Sequence, residues 1–533
     1  INEIGACRIC LVEVQGARTL QASCVTPVSE GMVVHTNTPQ VRQVRKMNLE
    51  LIMSNHPQEC LTCPRSTNCE LQQLASELGI SEIKFAGEMS SYEPDYSSAS
   101  LVRDPRKCIL CRRCTSVCEN VQKVNAIGPQ ERGFNTIVAP AFLDPLGDVS
   151  CVNCGQCVLV CPTAAIHEKD QTAEVWKALA DPQKHVVVQT APAVRVSIGE
   201  MFGLEPGSVE TGRLVTALRK LGFDRVFDTD FTADLTIVEE GNELLQRIKE
   251  GGKLPLVTSC SPGWIKYIEH FYPELLPHLS TCKSPQQMFG ALAKSYYAKQ
   301  AGIDAADIYV VSIMPCTAKK YEAGRDEMAD SGQQDVDVVL TTRELGKMLR
   351  EAGIEFGALA EEEYDAPLGV STGAGVIFGS TGGVMEAALR TAYELVTGET
   401  LPALDFHEVR GLEGVKEASV NLNGTTLNAV VAHGLGNAMD VLERVKAGHQ
   451  YHFIEIMCCP GGCIGGGGQP IPTDREVRKK RMAGIYKADQ GMALRKSHEN
   501  PAVQVLYKDF LGEPLGHKSH QLLHTHYVPR KRH

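Results

Sequence analysis

The sequence predicts a multidomain protein in which small α+β modules precede one large α/β domain. Three observations predict it. At about 100 to 200 residues per domain, 533 residues imply three or four domains. Of the 20 cysteines, fourteen lie in residues 1–161, none between 162 and 259, and six from 260 to 463. From about Lys184 the texture changes to apolar runs alternating with amphipathic segments, the pattern of strands alternating with helices. The expected division is 1–45, 46–95, 96–178, 179–490 and 491–533. A net charge of -11 lacks the basic footprint of a nucleic-acid protein. No uncharged apolar stretch approaches the ~18 residues of a membrane helix. Tight Cys-x-x-Cys steps in a large chain without a visible signal peptide point to metal binding in a reducing compartment, the cytoplasm, rather than to disulfides.

In the first module Cys7, Cys10 and Cys24 sit in GACRICLVEV and QASCVTP, between expected strands at Leu11 to Val14 and Met32 to His35. Gly5 and Ala6 let the backbone wrap closely around a cluster. Three thiolates are one short of the four a [2Fe-2S] centre takes. Because the sequence opens on Ile1, the fourth is expected upstream; a redox-inactive Cys-x-x-Cys is the alternative. Next, His56, Cys60, Cys63 and Cys69 spell H-x3-C-x2-C-x5-C, one mixed site for a [4Fe-4S] cluster or for zinc. A neutral imidazole in place of a thiolate lowers the negative charge around a cluster and tends to raise its potential.

The third module is an internal repeat. Cys108, Cys111, Cys114 and Cys118 form C-x2-C-x2-C-x3-C, and Cys151, Cys154, Cys157 and Cys161 repeat it, with Pro162 directly after. In this pattern a close triad wraps one [4Fe-4S] cube while the fourth cysteine reaches the other. One cube is therefore expected on Cys108, Cys111, Cys114 and Cys161, the second on Cys151, Cys154, Cys157 and Cys118. Zinc motifs rarely place three thiols at successive two-residue gaps.

Within the large domain, Val186 to Val188 reads as a strand. Ser208 is expected to cap a helix with Leu214, Leu218 and Leu221 on one face, stopped by Gly222. Thr232 is expected to start another that carries Glu239, Glu240 and Glu243 and ends at Gly251-Gly252. Further strands are expected at Leu254 to Thr258, Ile308 to Met314, Val336 to Leu340 and Phe453 to Met457. Asn423-Gly424 signals a hairpin between Val420-Leu422 and Leu427-Val431. Cys260, Cys316 and the group Cys458, Cys459 and Cys463 each follow one of these strands, and ligand sites in open α/β sheets gather beyond the strands' carboxyl ends. Three distant segments would thus deliver thiolates to one place; free core cysteines beside tight turns are the alternative. Gly461, Gly462 and Gly465 to Gly468 lack the Lys-Ser/Thr of a P-loop, so close backbone approach to a cofactor or helix suits them better than phosphate binding.

TSCSPGW (258 to 264), MPCTAKK (314 to 320) and EIMCCPGGC (455 to 463) resemble the three signatures of the [FeFe]-hydrogenases, and the modules before them match the accessory clusters of that family's long forms. The resemblance covers nearly the whole chain and is most like the catalytic subunit of multimeric, NAD(P)-linked, often electron-bifurcating hydrogenases. It implies β-grasp-like and ferredoxin-like α+β iron-sulfur modules, then a large α/β catalytic domain holding an H-cluster. That cofactor is a [4Fe-4S] cube joined through one cysteine sulfur to a two-iron subsite with CO, cyanide and a dithiolate bridge. One [2Fe-2S] and three accessory [4Fe-4S] clusters complete the expected set. Cys463 would bridge, with Cys316 and Cys459 as cube ligands and Lys319 donating to a cyanide. Met314, Met457, Pro192, Gln286 and Phe378 match positions lining the two-iron subsite.

The family's first signature commonly has Cys where this chain has Ser261, the first cysteine relaying protons and the second binding the cube. Serine is a poor iron ligand because its alkoxide forms far less readily than a thiolate. Either Cys260 shifts to ligate the cube, the reading preferred on sequence, or it keeps the relay and Cys282 or Cys458 completes the cube. Glu240 and Glu243 share a helix face and, with Ser280, match the family's proton path to Cys260. The histidines at 517, 520, 524 and 526 are expected in a small-subunit-like tail wrapping the catalytic domain with polar residues outward. Expected partners are ferredoxin, an NAD(P)-binding flavin/Fe-S subunit and a small [2Fe-2S] subunit, because no GxGxxG in strand context supplies a nucleotide site here. A non-catalytic electron-transfer subunit has no need of MPCTAKK. A hydrogen sensor or assembly protein remains the other alternative, against which Met314, Lys319, Glu240 and Glu243 argue.

Overall fold

The computed structural model describes residues 2–422 and 425–532. The chain forms two units: one comprises residues up to Cys151 together with Gln156–Lys169, the other Val152–Gly155 and Asp170–Arg532.

In the first unit, strand Leu11–Val14 is flanked antiparallel by Gln21–Ala22 and Val34–His35, the latter shorter than the expected run from Met32. Helix Pro39–Met53 begins at Thr38, whose hydroxyl accepts from the Val41 amide, and Arg45 Nε donates to the Leu11 carbonyl at 3.0 Å, tying helix to sheet. Farther on, Leu101–Arg103 pairs antiparallel with Ile166–Glu168 around the short helices Arg113–Ser116 and Gln156–Val160. Leu110 and Arg112 hold φ of 54° and 59°, conformations uncommon for residues with a Cβ. The curl turns backbone amides onto sulfur: the Leu110 N–H approaches Cys108 Sγ at 3.4 Å, and the Ala126 N–H approaches Cys118 Sγ at 3.4 Å.

The second unit holds two four-stranded sheets. The first is fully parallel, in the order Val338–Thr341, Ile308–Met314, His185–Thr190, Arg225–Asp228. Parallel strands covered on both faces read as continuous apolar runs, which is why Ile308–Met314 and Phe453–Met457 have the bounds their sequence predicts. The second sheet runs Leu256–Val257, Phe453–Met457, Thr425–His433, Val415–Leu422, parallel except for its outer hairpin. The two hairpin strands pair as expected, while Asn423-Gly424 lies outside the described residues.

Two helix starts differ from expectation. Helix Thr211–Leu221 begins after Glu210, not Ser208, although Gly222 (φ 102°) ends it as predicted. Helix Thr229–Glu250 starts three residues before Thr232 because Asp228 caps it, accepting from the Asp230 amide, and Gly251 closes it. Asp228 also pairs with the buried Arg195 at 2.7 Å, so a long-range ion pair adds to the local cap. The tail does wrap this unit: Lys283 N–H donates to the Leu523 carbonyl and Thr525 N–H to the Thr281 carbonyl, each at 2.7 Å. His517, His520 and His526 face outward, but His524 is buried and its Nε2 lies 3.2 Å from Glu239 Oε2, because that carboxylate needs a partner inside.

Asp228→Ala leaves Arg195 its second partner, Asp230 at 2.8 Å, so it should cost about 1–2 kcal/mol, mainly through the lost cap, and Ser208→Ala less than ~0.5 kcal/mol. Thermal midpoints of the two variants should differ accordingly.

Candidate active site

Three strand ends meet at one place. Leu256–Val257 runs into Cys260 and helix Pro262–Phe271; Ile308–Met314 runs into Cys316 and helix Ala318–Ala323; Phe453–Met457 runs into Cys458, Cys459 and Cys463. Between them lies a cavity lined by all five thiols, by Cys154, and by Pro192, Gln286, Met314, Lys319, Phe378 and Met457. The sequence-predicted residues of the late signatures are thus together. Cys282 is not among them: it is fully buried beside Glu239, Glu240 and Glu243.

The thiols fit a metal cluster and little else. Burial, with Cys459 beside it, pushes Cys463 up to about 12, and burial with Cys459 and Cys463 raises Cys316 further. Such sulfurs stay protonated unless a metal takes the proton's place. Gln286 Oε1 is buried at the cavity wall with no hydrogen-bond partner among the described residues. Methionine and phenylalanine complete a dry, soft lining, with Met314 and Met457 each 3% exposed. The glycines after Cys459 serve close approach to protein, and Gly462 and Gly466 also line the cavity. A Cβ on Gly466 would stand 2.1 Å from the Pro315 carbonyl oxygen, and one on Gly467 2.4 Å from that of Cys154. Both contacts bring the glycine run against the Cys316 and Cys154 loops.

Lys319 is held in place by a residue the sequence reading missed. Its Nζ donates to Glu322 Oε2 at 2.8 Å and to the Cys260 carbonyl at 3.1 Å. The same Glu322 oxygen accepts from Gln286 Nε2 (3.0 Å) and Ser284 Oγ (2.8 Å). The signal was present, since Glu322 stands three residues after Lys319 on one helical turn. Thr317, also missed, donates to the Asn153 carbonyl at 2.7 Å and anchors the Cys154 segment.

A chain of polar groups leads from the surface toward Cys260. Arg247 donates to Glu243 Oε1 at 2.6 Å, and Ser280 Oγ donates to Glu243 Oε2 at 2.8 Å. Glu240 sits on the other side of Ser280; burial and the neighbouring Glu243 push it up to about 8. Burial and Glu240 raise the Cys260 thiol well above its ordinary value. Arg247 escaped the sequence reading because a surface arginine in a helix's last turn is ordinary.

The first unit gathers its thiols in the same manner. Cys108, Cys111, Cys114 and Cys161 line one small cavity, and burial pushes Cys108 up to about 12. His56, Cys60, Cys63 and Cys69 line another; burial and Lys107 lower His56, leaving a neutral imidazole whose Nδ1 has no partner among the described residues. Cys24 neighbours both Cys10 and Cys7. Cys118, Cys151 and Cys157 belong to the first unit and Cys154 to the second.

Fold and site together define a redox protein with a buried metal-cluster chamber. Its sequence matches, in order, a 2Fe-2S iron-sulfur cluster binding domain (residues 1–39), the NADH-ubiquinone oxidoreductase-G iron-sulfur binding region (45–84) and a 4Fe-4S dicluster domain (107–166). The iron only hydrogenase large subunit, C-terminal domain (184–467) and the iron hydrogenase small subunit (475–530) follow. It is 55% identical to the NADP-reducing hydrogenase subunit HndD of Solidesulfovibrio fructosivorans, over 100% of this chain and 92% of that one. It is 42% identical to iron hydrogenase 1 of Clostridium pasteurianum, over 99% and 93%. The solved apo [FeFe]-hydrogenase HydA1 from Chlamydomonas reinhardtii covers 68% of this chain and 100% of its own, with a TM-score of 0.62 and 48% identity. The chain belongs to the [FeFe]-hydrogenase family. It is a catalytic subunit, an oxidoreductase acting on H2, with an H-cluster domain and accessory 4Fe-4S and 2Fe-2S domains that relay electrons.

Glu322→Gln removes the charge that fixes Lys319 while keeping the side chain's shape. Loss of such supporting groups typically costs 10–100-fold, so hydrogen uptake with an artificial dye acceptor should fall by about that factor.

Proposed function

We propose that this subunit interconverts H2 with protons and electrons in the Cys316, Cys459 and Cys463 chamber and exchanges electrons with protein partners. The observation that carries the reading is the convergence of those three thiols with Lys319 and the unpartnered Gln286 oxygen in one cavity. When bound, the H-cluster supplies the centre where two protons and two electrons combine, or where H2 is split heterolytically. The chain's residues do the rest. Cys463 would bridge cube and two-iron subsite, and Cys316 and Cys459 would hold the cube. Lys319, steadied by Glu322, places a positive charge where a cyanide would sit. Pro192, Met314, Phe378 and Met457 keep water out. Gln286 orients its free carbonyl into the cavity.

Glu243 takes protons from the surface beside Arg247 and passes them through the Ser280 hydroxyl to Glu240. Because Glu240 is pushed up to about 8, it holds its proton at neutral pH and can hand it to Cys260. We propose three accessory [4Fe-4S] clusters and one [2Fe-2S] centre in all, with the ligands expected from sequence. The His56 site, with its neutral imidazole, suits a cluster of raised potential. Ferredoxin, an NAD(P)-binding flavin/Fe-S subunit and a small [2Fe-2S] subunit are the proposed partners in a cytoplasmic hetero-oligomer, on the strength of the likeness to an NADP-reducing hydrogenase subunit. No helix among the described residues is long and apolar enough to cross a membrane.

Infrared absorption tests the reading: anaerobically prepared, maturated protein should show CO and cyanide bands and evolve H2, and absence of both would leave an electron-transfer protein. Glu243→Gln should lower turnover by about 10²–10⁴ with iron content intact. Raising pH through about 8 ionises Glu240, so wild-type turnover should decline there, and in Glu240→Gln that limb should vanish. His56→Cys adds a negative charge and should shift one cluster to lower potential in an EPR-monitored redox titration.

A further inference from the structure

A cube takes four ligands, and with serine at 261 the late signatures leave three thiolates, Cys316, Cys459 and Cys463. Three further thiols lie close in sequence to these segments or to the proton path, and their surroundings separate them. Cys282 is buried among Glu239, Glu240 and Glu243, away from the chamber. Cys260 lines the chamber where the proton path arrives: Glu240, Lys319, Cys463 and Glu455 are its neighbours, and its carbonyl is held by Lys319 Nζ at 3.1 Å. Cys458 has different neighbours. It lines the chamber beside Cys459 and Cys154, and its backbone N–H donates to Ser261 Oγ at 3.2 Å. Its backbone amide therefore stands one hydrogen bond from the side chain at position 261.

Gly263 supplies a second, independent observation. It lies in the first turn of helix Pro262–Phe271 with φ outside the left-handed region, so its backbone does not require glycine. What it provides is room, because a Cβ there would stand 2.7 Å from Cys458 Sγ. Helix and thiol are fitted to each other at this point.

We infer that Cys458 supplies the fourth thiolate of the catalytic cube in place of residue 261, leaving Cys260 clear of iron and available to move protons. On ligation the Cys458 S–H bond is exchanged for an S–Fe bond and the proton is released, with no change in iron oxidation state. The Ser261 hydroxyl keeps a positioning role, accepting from the Cys458 amide. This inference rests on the reading that the chamber holds a cube, and the test separates the two.

Full-length protein is made without the two-iron subsite, so that cubes alone are present, and iron per chain and the EPR spectrum of the reduced protein are measured. Cys458→Ala should lose about four irons and the catalytic-cube signal, with accessory signals unchanged. Cys260→Ala should keep both iron and signal. Adding Ser261→Cys to Cys458→Ala should restore them, which also covers the case in which the single variant folds poorly. Gly263→Ala should broaden or shift the catalytic-cube signal. Retention of iron and signal in Cys458→Ala, or failure of Ser261→Cys to rescue a Cys458→Ala chain that loses them, overturns the inference. Cys459→Ala is the control on the underlying reading: if it loses no iron, the chamber holds no cube, whereas loss there with retention in Cys458→Ala overturns the inference alone.

Discussion

Thiols gathered in a water-poor chamber cannot ionise by themselves, and most of the architecture around this site follows from that constraint. Burial and mutual proximity hold Cys316 and Cys463 in their neutral forms, and a thiolate becomes favourable only when iron neutralises it. Bringing such residues together from segments some 200 positions apart requires rigid delivery. Three parallel strand ends provide it, and glycines let the Cys459–Gly468 loop lie against the Cys316 and Cys154 backbones at distances no side chain would permit.

Most buried charge near the chamber is handled by pairing. Glu322 gathers Lys319, Gln286 and Ser284 onto one oxygen, so a cation and an amide are presented to the chamber without rotamer freedom. Glu243 is balanced by Arg247, while Glu240, lacking a cation of its own, is raised toward neutrality. Two carboxylates three residues apart on one helix thus have different partners, an arginine for Glu243 and burial without a salt bridge for Glu240. Glu239, on the same helix, is instead satisfied by Tyr507 and His524 from the tail, so the C-terminal segment completes the helix that carries the proton path.

Much of this was legible in the sequence where local chemistry decides. The strands Ile308–Met314 and Phe453–Met457 were bounded correctly because continuous apolar runs flanked by cysteine-bearing loops have few other uses. The stop at Gly222 was readable for the same reason: a left-handed residue ends a helix wherever it is placed. Helix starts were less legible. Thr232 looked like a cap, yet Asp228 took the position because Arg195, distant in sequence, fixes its carboxylate there. Ser208 had the right chemistry for a cap but its chain enters the helix two residues later.

By itself the sequence determined the cysteine spacing, the order of the modules and the three late motifs, since ligand type and short-range spacing are properties of a chain segment and survive any fold that keeps the segment intact. It could not determine which of three spare thiols stands opposite Ser261, which carboxylate steadies Lys319, or which glutamate is held near neutrality. Those depend on distances between segments that share no local geometry and on burial, and both exist only once the sheets have packed. The tertiary structure placed Cys260 beside Glu240 and Cys458 beside Cys154 and Gly263, separating by position two residues that composition alone leaves equivalent.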